Sequence, residues 1–251
     1  MGPEVPYSLL RTREGCGVGL SWHLERLGVA ARFYGMAFDE RETRRAVAAA
    51  SEGLGLTDLV VVVALVGGEV WSLARESAVP ALESKRVVTV DFGPRANPAI
   101  KTSSWCFDRR PLEKKAFDEV LLTDADGNLL EGLTHNVAVV DDEGTLYAAD
   151  DSFVLPGVAM RHALDAARRS GLHHQRRAPR LKDASSWRHV FITNANALCQ
   201  PVSEISNGET GDLLFRATAD NDDPIKLIRD TMLDDIHTSS SSSSWCEPLL
   251  L

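Results

Sequence analysis

Lys101 closes the short apolar stretch PAIK and is followed by three hydroxyl residues, Thr102, Ser103 and Ser104. A lysine is ordinarily solvated, because its ammonium is costly to bury. Held in an apolar pocket it loses part of its proton affinity and becomes an amine that can attack a carbonyl or take up a proton. Glu131 follows the turn DADGN at the end of a strand pattern, where an acid is usually solvated. Arg26, in HLERL, carries a planar guanidinium that can grip an anion with two hydrogen bonds or simply face water from a helix. Pro156 and Gly157 form a turn directly before a helix pattern over 157–170, so the N–H groups of Val158 and Ala159 are aimed beyond the helix start. Such a terminus is a ready anion site, although every helix has one. Asn194 and Asn196 in ITNAN offer amide donors or build a turn.

The elements that must position these residues alternate between helical and strand periods. Leu20, Leu24, Leu27 and Ala31 recur at helical spacing, and Asp39 with Glu42 makes a capping box for a second helix ended by Gly53. DLVVVVALVG reads as a strand buried on both faces, turned at Gly67 and Gly68 into EVWSLAR, and KRVVTVDFG supplies another strand. GCGVG, Gly15 to Gly19, follows no useful strand and lacks the dinucleotide-loop spacing, so it reads as a hairpin turn. Pro94 and Pro98 punctuate the approach to Lys101. A second region opens with RRPLEKKAFDEVLLTD, where Pro111 suits a first helical turn. It continues as strands broken by DADGN and DDEG, the helix GVAMRHALDAARRSG and the strand HVFITN. The expectation is an α/β or α+β chain in two regions, 1–100 and 101–236, with strands of the second paired by hairpins. Residues 237–251, which include the serine run, are expected to form a disordered tail outside the fold.

Composition excludes several classes of function. With 251 residues, 44% hydrophobic and 25% charged, the chain has a globular profile, and its net charge of -9 disfavours nucleic acid and anionic membrane surfaces as partners. The longest apolar run, Leu59 to Val66, is too short to span a bilayer, and the start MGPEVPYSLL lacks the regions of a secretory signal, so a cytoplasmic location is expected. The four cysteines, Cys16, Cys106, Cys199 and Cys246, form no CxxC pair, and no metal site is expected.

HLERL at Arg26, Lys101, EGLTHN at Glu131, LPGV at Leu155 to Val158 and FITNANALCQPV, taken in this order and spacing, resemble the fold-type IV family of pyridoxal-phosphate enzymes. That group contains branched-chain and D-amino-acid aminotransferases and 4-amino-4-deoxychorismate lyases, and SSWCFDRRPLEKK looks most like a plant subgroup. The resemblance implies a two-domain fold, an N-terminal α/β domain and a C-terminal barrel-like domain, assembled as a homodimer that binds pyridoxal 5'-phosphate. It implies that Lys101 condenses with the cofactor aldehyde and later moves the substrate α-proton, and that Glu131 meets the pyridine nitrogen. Arg26, the N–H groups of Val158 and Ala159, and Asn194 or Asn196 would hold the phosphate. The implied reaction moves an amino group between an amino acid and a 2-oxo acid. Release of pyruvate from aminodeoxychorismate is the enzymatic alternative, and a non-catalytic binding protein of the same fold is the second.

Three positions depart from the family pattern. Ala159 stands where a threonine often follows LPGI, and Ala195 where the later phosphate loop commonly has serine or threonine. Cys106 replaces the tyrosine that in branched-chain enzymes touches the cofactor's phenolic oxygen. Few residues precede LLRT, so the hairpin that usually helps wall the substrate pocket is expected to be reduced.

Overall fold

The computed structural model describes residues 4–52, 54, 58–218, 223–237 and 245–250. In chain order the first half contains β1 (Tyr7–Arg13), β2 (Cys16–Val18), α1 (Leu20–Phe33), α2 (Glu40–Glu52), β3 (Asp58–Val66), β4 (Glu69–Glu76), β5 (Lys85–Asp91) and α3 (Ser103–Arg109). There follow β6 (Glu119–Thr123), β7 (Leu129–Gly132), β8 (Asn136–Asp141), β9 (Leu146–Ala148), α4 (Val158–Arg169) and β10 (His174–Arg176). The chain ends with β11 (Trp187–Asn194), β12 (Leu198–Asn207), β13 (Leu213–Arg216), α5 (Pro224–His237) and β14 (Cys246–Pro248). Two compact units result: Met1–Pro80 with Ala99–Phe107 and Met232–Leu251, and Ala81–Pro98 with Asp108–Thr231.

The first unit is an antiparallel sheet in the order β14-β2-β1-β3-β4. Leu20, Leu24, Leu27 and Ala31 of α1 and Val47 and Ala48 of α2 pack with Leu10, Val61, Val63 and Leu65 of the sheet, as their helical spacing requires. Glu14 and Gly15 both have positive φ, 48° and 79°, and make the tight β1–β2 turn, so a hairpin does form here; it is shifted from the expectation, since the seven-residue β1 precedes GCGVG and Cys16–Val18 within it are strand β2. Asp39 Oδ1 accepts the N–H of Glu42 at 3.0 Å, satisfying one of the orphan donors of α2, while Gly53 lies outside the described residues. Asp39→Ala should therefore cost about 1 kcal/mol, measurable as a lower denaturant midpoint at unchanged slope.

The expectation for 237–251 is corrected in part. The run 238–244 lies outside the described residues, but Trp245 and Leu249 are buried and β14 pairs with β2. Glu247 on β14 accepts the Ser21 N–H at 2.9 Å at the start of α1, whose N-cap residue, Gly19, has no side chain to do so. A short apolar segment after a serine run thus finds an open sheet edge, information that local composition does not contain. The helix expected from Pro111 is also displaced. The α-helix, α3, lies upstream and Pro111 falls in a single 3-10 turn, Arg110–Leu112. Proline lacks an N–H and disfavours helical geometry in the residue before it, so α3 ends at Arg109.

In the second unit six strands close a ring, β8-β11-β12-β5-β6-β7 and back to β8, with β9 and β10 extending from β8 and β13 from β12. Val87, Leu121, Leu129, Val137, Val139, Val190, Ile192, Val202 and Ile205 form its apolar core. The hairpins appear as expected, tightened at DADGN and DDEG by Asp124 and Asp141 side chains that accept backbone N–H groups two and four residues on. The parallel pairings β12–β5 and β5–β6 bring together strands far apart in sequence. Among the described residues no helix is long and apolar enough to cross a membrane.

Candidate active site

The first unit holds Lys101 and Arg26. The backbone around Lys101 is stitched to the start of β1: Tyr7 N–H donates to Lys101 O at 3.2 Å and Ser103 N–H to Val5 O at 3.0 Å. The Lys101 Nζ lies 4.7 Å from the centroid of the Tyr7 ring, whose hydroxyl is 2.9 Å from Cys106 Sγ. On the helix-facing side of β1, Ser8 Oγ receives Arg26 Nη2 at 3.1 Å and lies 2.9 Å from His23 Nδ1. His23 is buried, and burial first, then the positive charges of Arg26 and Lys101, push its pKa well below the ordinary histidine value. Its ring is therefore neutral and adds no third positive charge to this region.

Glu131, Val158, Ala159, Asn194 and Asn196 belong to the second unit. A register shift between Leu122 and Thr123 opposite β7 marks a bulge, and it leaves Glu131 paired with Leu122, away from the ring core that holds Leu121 and Leu129. Glu131 then continues a cross-strand row, Glu131 opposite Asn136, Asn136 opposite Thr193, and Thr193 opposite Cys199. The Glu131 side chain is 5% exposed and Arg95 Nε donates to its Oε1 at 2.6 Å, while its Oε2 accepts the Leu155 N–H at 3.2 Å. Burial pushes the Glu131 carboxyl up; Arg95 and the Leu155 N–H draw it back. The net direction is upward; the Arg95 guanidinium, charged at any ordinary pH, is the cation that favours the ionised form against that burial.

The same row holds the entry to α4. Asn136 Nδ2 donates to Leu155 O at 2.9 Å, and a Cβ added at Gly157 would stand 1.8 Å from Asn136 Oδ1. Glycine at 157 is thus a packing requirement. It lets the Leu155–Pro156–Gly157 turn lie against the row and starts α4 at Val158, whose N–H and that of Ala159 have no acceptor within the helix. Gly157→Ala should break the Asn136–Leu155 bond and cost about 2 kcal/mol in a denaturation experiment, with partial relief when Asn136 is also reduced to alanine.

Asn194 is engaged on both sides of its amide. Its Oδ1 accepts the N–H groups of Asn196 at 3.0 Å and Ala197 at 2.7 Å, and its Nδ2 lies 2.7 Å from His135 Nε2. It shapes the loop before β12, and Asn196 lies half-buried within that loop. Arg95, Thr193 and the Glu119–His135 pair escaped the sequence reading. A buried carboxylate needs a cation, which would have drawn attention to Arg95, but that Glu131 is buried is visible only in the fold. Among the described residues no cluster of three or more His, Cys, Asp or Glu side chains could hold a metal ion.

An antiparallel α/β unit and a second unit built on a closed strand ring make this a mixed α/β protein of two units. Residues 7–205 match the family model described as amino-transferase class IV, and the chain belongs to that family. No curated protein sequence matches the chain. Among solved structures, a branched-chain aminotransferase from Thermoproteus uzoniensis with norvaline is similar at TM-score 0.79 and 17% identity, over 98% of this chain and 90% of the other. The branched-chain amino acid aminotransferase of Escherichia coli aligns at TM-score 0.76 and 15% identity over 98% and 90%. The PLP-bound form of a hypothetical aminotransferase from Mycobacterium tuberculosis aligns at 0.73 and 21% over 92% and 89%.

Proposed function

We propose that this class IV aminotransferase uses pyridoxal 5'-phosphate to move an amino group between an amino acid and a 2-oxo acid, with Lys101 as the residue that carries the cofactor and moves the proton. The observation that carries the reading is the buried Glu131–Arg95 pair fastened to the entry of α4. An ionised carboxylate is expensive to bury, and removing either partner would leave the other's charge uncompensated. A protonated pyridine nitrogen is a second cationic group that such a carboxylate can serve, while Arg95 keeps it ionised.

The residues present fit such a cofactor. Thr193 has a buried hydroxyl with no hydrogen-bond partner among the described residues, in register with the Asn136 that holds the α4 turn. The cofactor, when bound, supplies an aldehyde for the amine and a ring that takes up the electron pair left at the substrate α-carbon. Arg26, oriented by Ser8 and a neutral His23, would bind the phosphate; the N–H groups of Val158 and Ala159 would add the helix dipole. The loop shaped by Asn194 and Asn196 would close the phosphate side. Tyr7 offers Lys101 a ring face and, through Cys106, a hydroxyl near the position of the absent family tyrosine.

The test is a spectrum of the protein with added pyridoxal 5'-phosphate, then borohydride reduction and peptide mapping, with amino donors screened for 2-oxo acid formation. A reduced adduct on Lys101 together with amino transfer is the expected result. Pyruvate release from aminodeoxychorismate without transfer would replace the transferase by the lyase, and absence of any adduct on Lys101 would overturn the cofactor role.

A further inference from the structure

Glu119, at the start of β6, is buried and collects an unusual number of donors. Its Oε1 accepts the N–H groups of Val120 at 2.9 Å and Leu133 at 3.1 Å. Its Oε2 accepts the Thr134 N–H at 3.2 Å, the Thr134 hydroxyl at 2.8 Å and His135 Nδ1 at 2.5 Å. Gly132 makes room for it, since a Cβ there would meet the Glu119 carboxyl carbon at 3.0 Å. Burial alone would raise the Glu119 carboxyl, but the bonds from His135, Thr134 and Val120 outweigh it and hold the group below its ordinary value. Glu119 is therefore an ionised acceptor.

This settles the proton positions further along. An ionised carboxylate can only accept, so the proton between Glu119 and His135 sits on Nδ1. At the far side of the ring, Asn194 Oδ1 is taken by the N–H groups of Asn196 and Ala197, which turns Nδ2 toward His135 Nε2 at 2.7 Å; an amide N–H needs an acceptor there, so Nε2 presents its lone pair. The loop so held leads into Leu198, a non-glycine residue at φ 59°, in the left-handed region that a leucine adopts only when its surroundings impose it. Arg229 donates to Ala197 O at 2.8 Å and Cys199 O at 2.6 Å, fixing the carbonyls on either side of that residue.

We infer that Glu119, His135 and Asn194 form a positioning chain in which the tautomer of His135 sets the shape of the 194–197 loop, and through it the affinity for the anionic group of the cofactor. The functional half rests on the proposed cofactor reading; the structural half does not. His135 is a positioning residue that acts through Asn194. The chain gives the loop a rigid support where Ala195 brings no hydroxyl of its own.

The test uses the full-length protein with 15N-labelled histidine. The His135 ring resonances, assigned by their loss in His135→Gln, should report a protonated Nδ1 and an unprotonated Nε2; an unprotonated Nδ1 or a doubly protonated ring overturns the chain. Amide exchange at Asn196 and Ala197 and the dissociation constant for pyridoxal 5'-phosphate are then compared across variants. His135→Phe removes one hydrogen bond to the loop, at Asn194 Nδ2, and should speed exchange and raise that constant about fivefold; Asn194→Ala removes that bond and those from the Asn196 and Ala197 N–H groups and should do more. The double variant should be no worse than Asn194→Ala alone. His135→Gln, whose carbonyl can still accept from Asn194, should restore most of the affinity. Unchanged exchange in both His135→Phe and Asn194→Ala refutes the chain. If the wild-type protein takes up no pyridoxal 5'-phosphate, the cofactor reading fails, while the tautomer and exchange data still decide the structural half.

Discussion

Replacing Lys101 with alanine should abolish amino transfer while leaving the fold intact. On the proposed role, loss of the proton-moving group alone would account for roughly 10²- to 10⁴-fold in turnover, and loss of the attachment point would add to it. The backbone contacts that hold this residue, from Tyr7 N–H to Lys101 O and from Ser103 N–H to Val5 O, do not involve the side chain, so thermal stability should change little. Two further readouts separate a chemical role from a structural one. Borohydride should no longer fix the cofactor at this position, and an added small primary amine should restore part of the turnover. A variant that retains full activity would show that another lysine performs the chemistry, and one that loses activity only by unfolding would leave the amine without a demonstrated role.

Arg95→Ala carries the largest expected effect on stability. It would leave the Glu131 carboxylate, 5% exposed, without its 2.6 Å partner. Breaking a buried pair from one side costs about 3–5 kcal/mol, which for a chain of this size lowers Tm by roughly 10 °C. The deficit should shrink when Glu131 is also changed to glutamine, because the uncompensated charge is then gone. It should also shrink with falling pH. Burial raises the Glu131 carboxyl in the fold, so the folded variant takes up a proton at a pH where the unfolded chain is still ionised. A fall in pH through that window therefore favours the folded variant, and thermal melts at two pH values read the difference directly. Loss of equal size in Arg95→Ala and in the double variant would show that Arg95 acts by packing alone.

Much of this protein is legible in its residues. The helical spacing of Leu20, Leu24, Leu27 and Ala31, the Asp39 cap, the strands at DLVVVVALV and HVFITN and the turns at DADGN and DDEG all depend on neighbours within a few positions, and each stands where its local chemistry places it. The family could be read from five short motifs in order, and residues 7–205 match its model. What the tertiary structure alone decided are the pairings between distant residues. That Trp245 to Leu249 return to the edge of β2, that β5 lies between β12 and β6, and that the ring closes between β7 and β8 depend on unpaired strand edges meeting, for which single-chain periodicity carries no signal. The same holds for the chemistry. Glu131 reads as a solvated acid until burial makes a cation necessary and Arg95 supplies it; His135 reads as one more polar residue until Glu119 and Asn194, 16 and 59 positions away, fix its proton. Residue types can be read along the chain, but protonation, pairing and orientation belong to the partners that folding brings within hydrogen-bond reach.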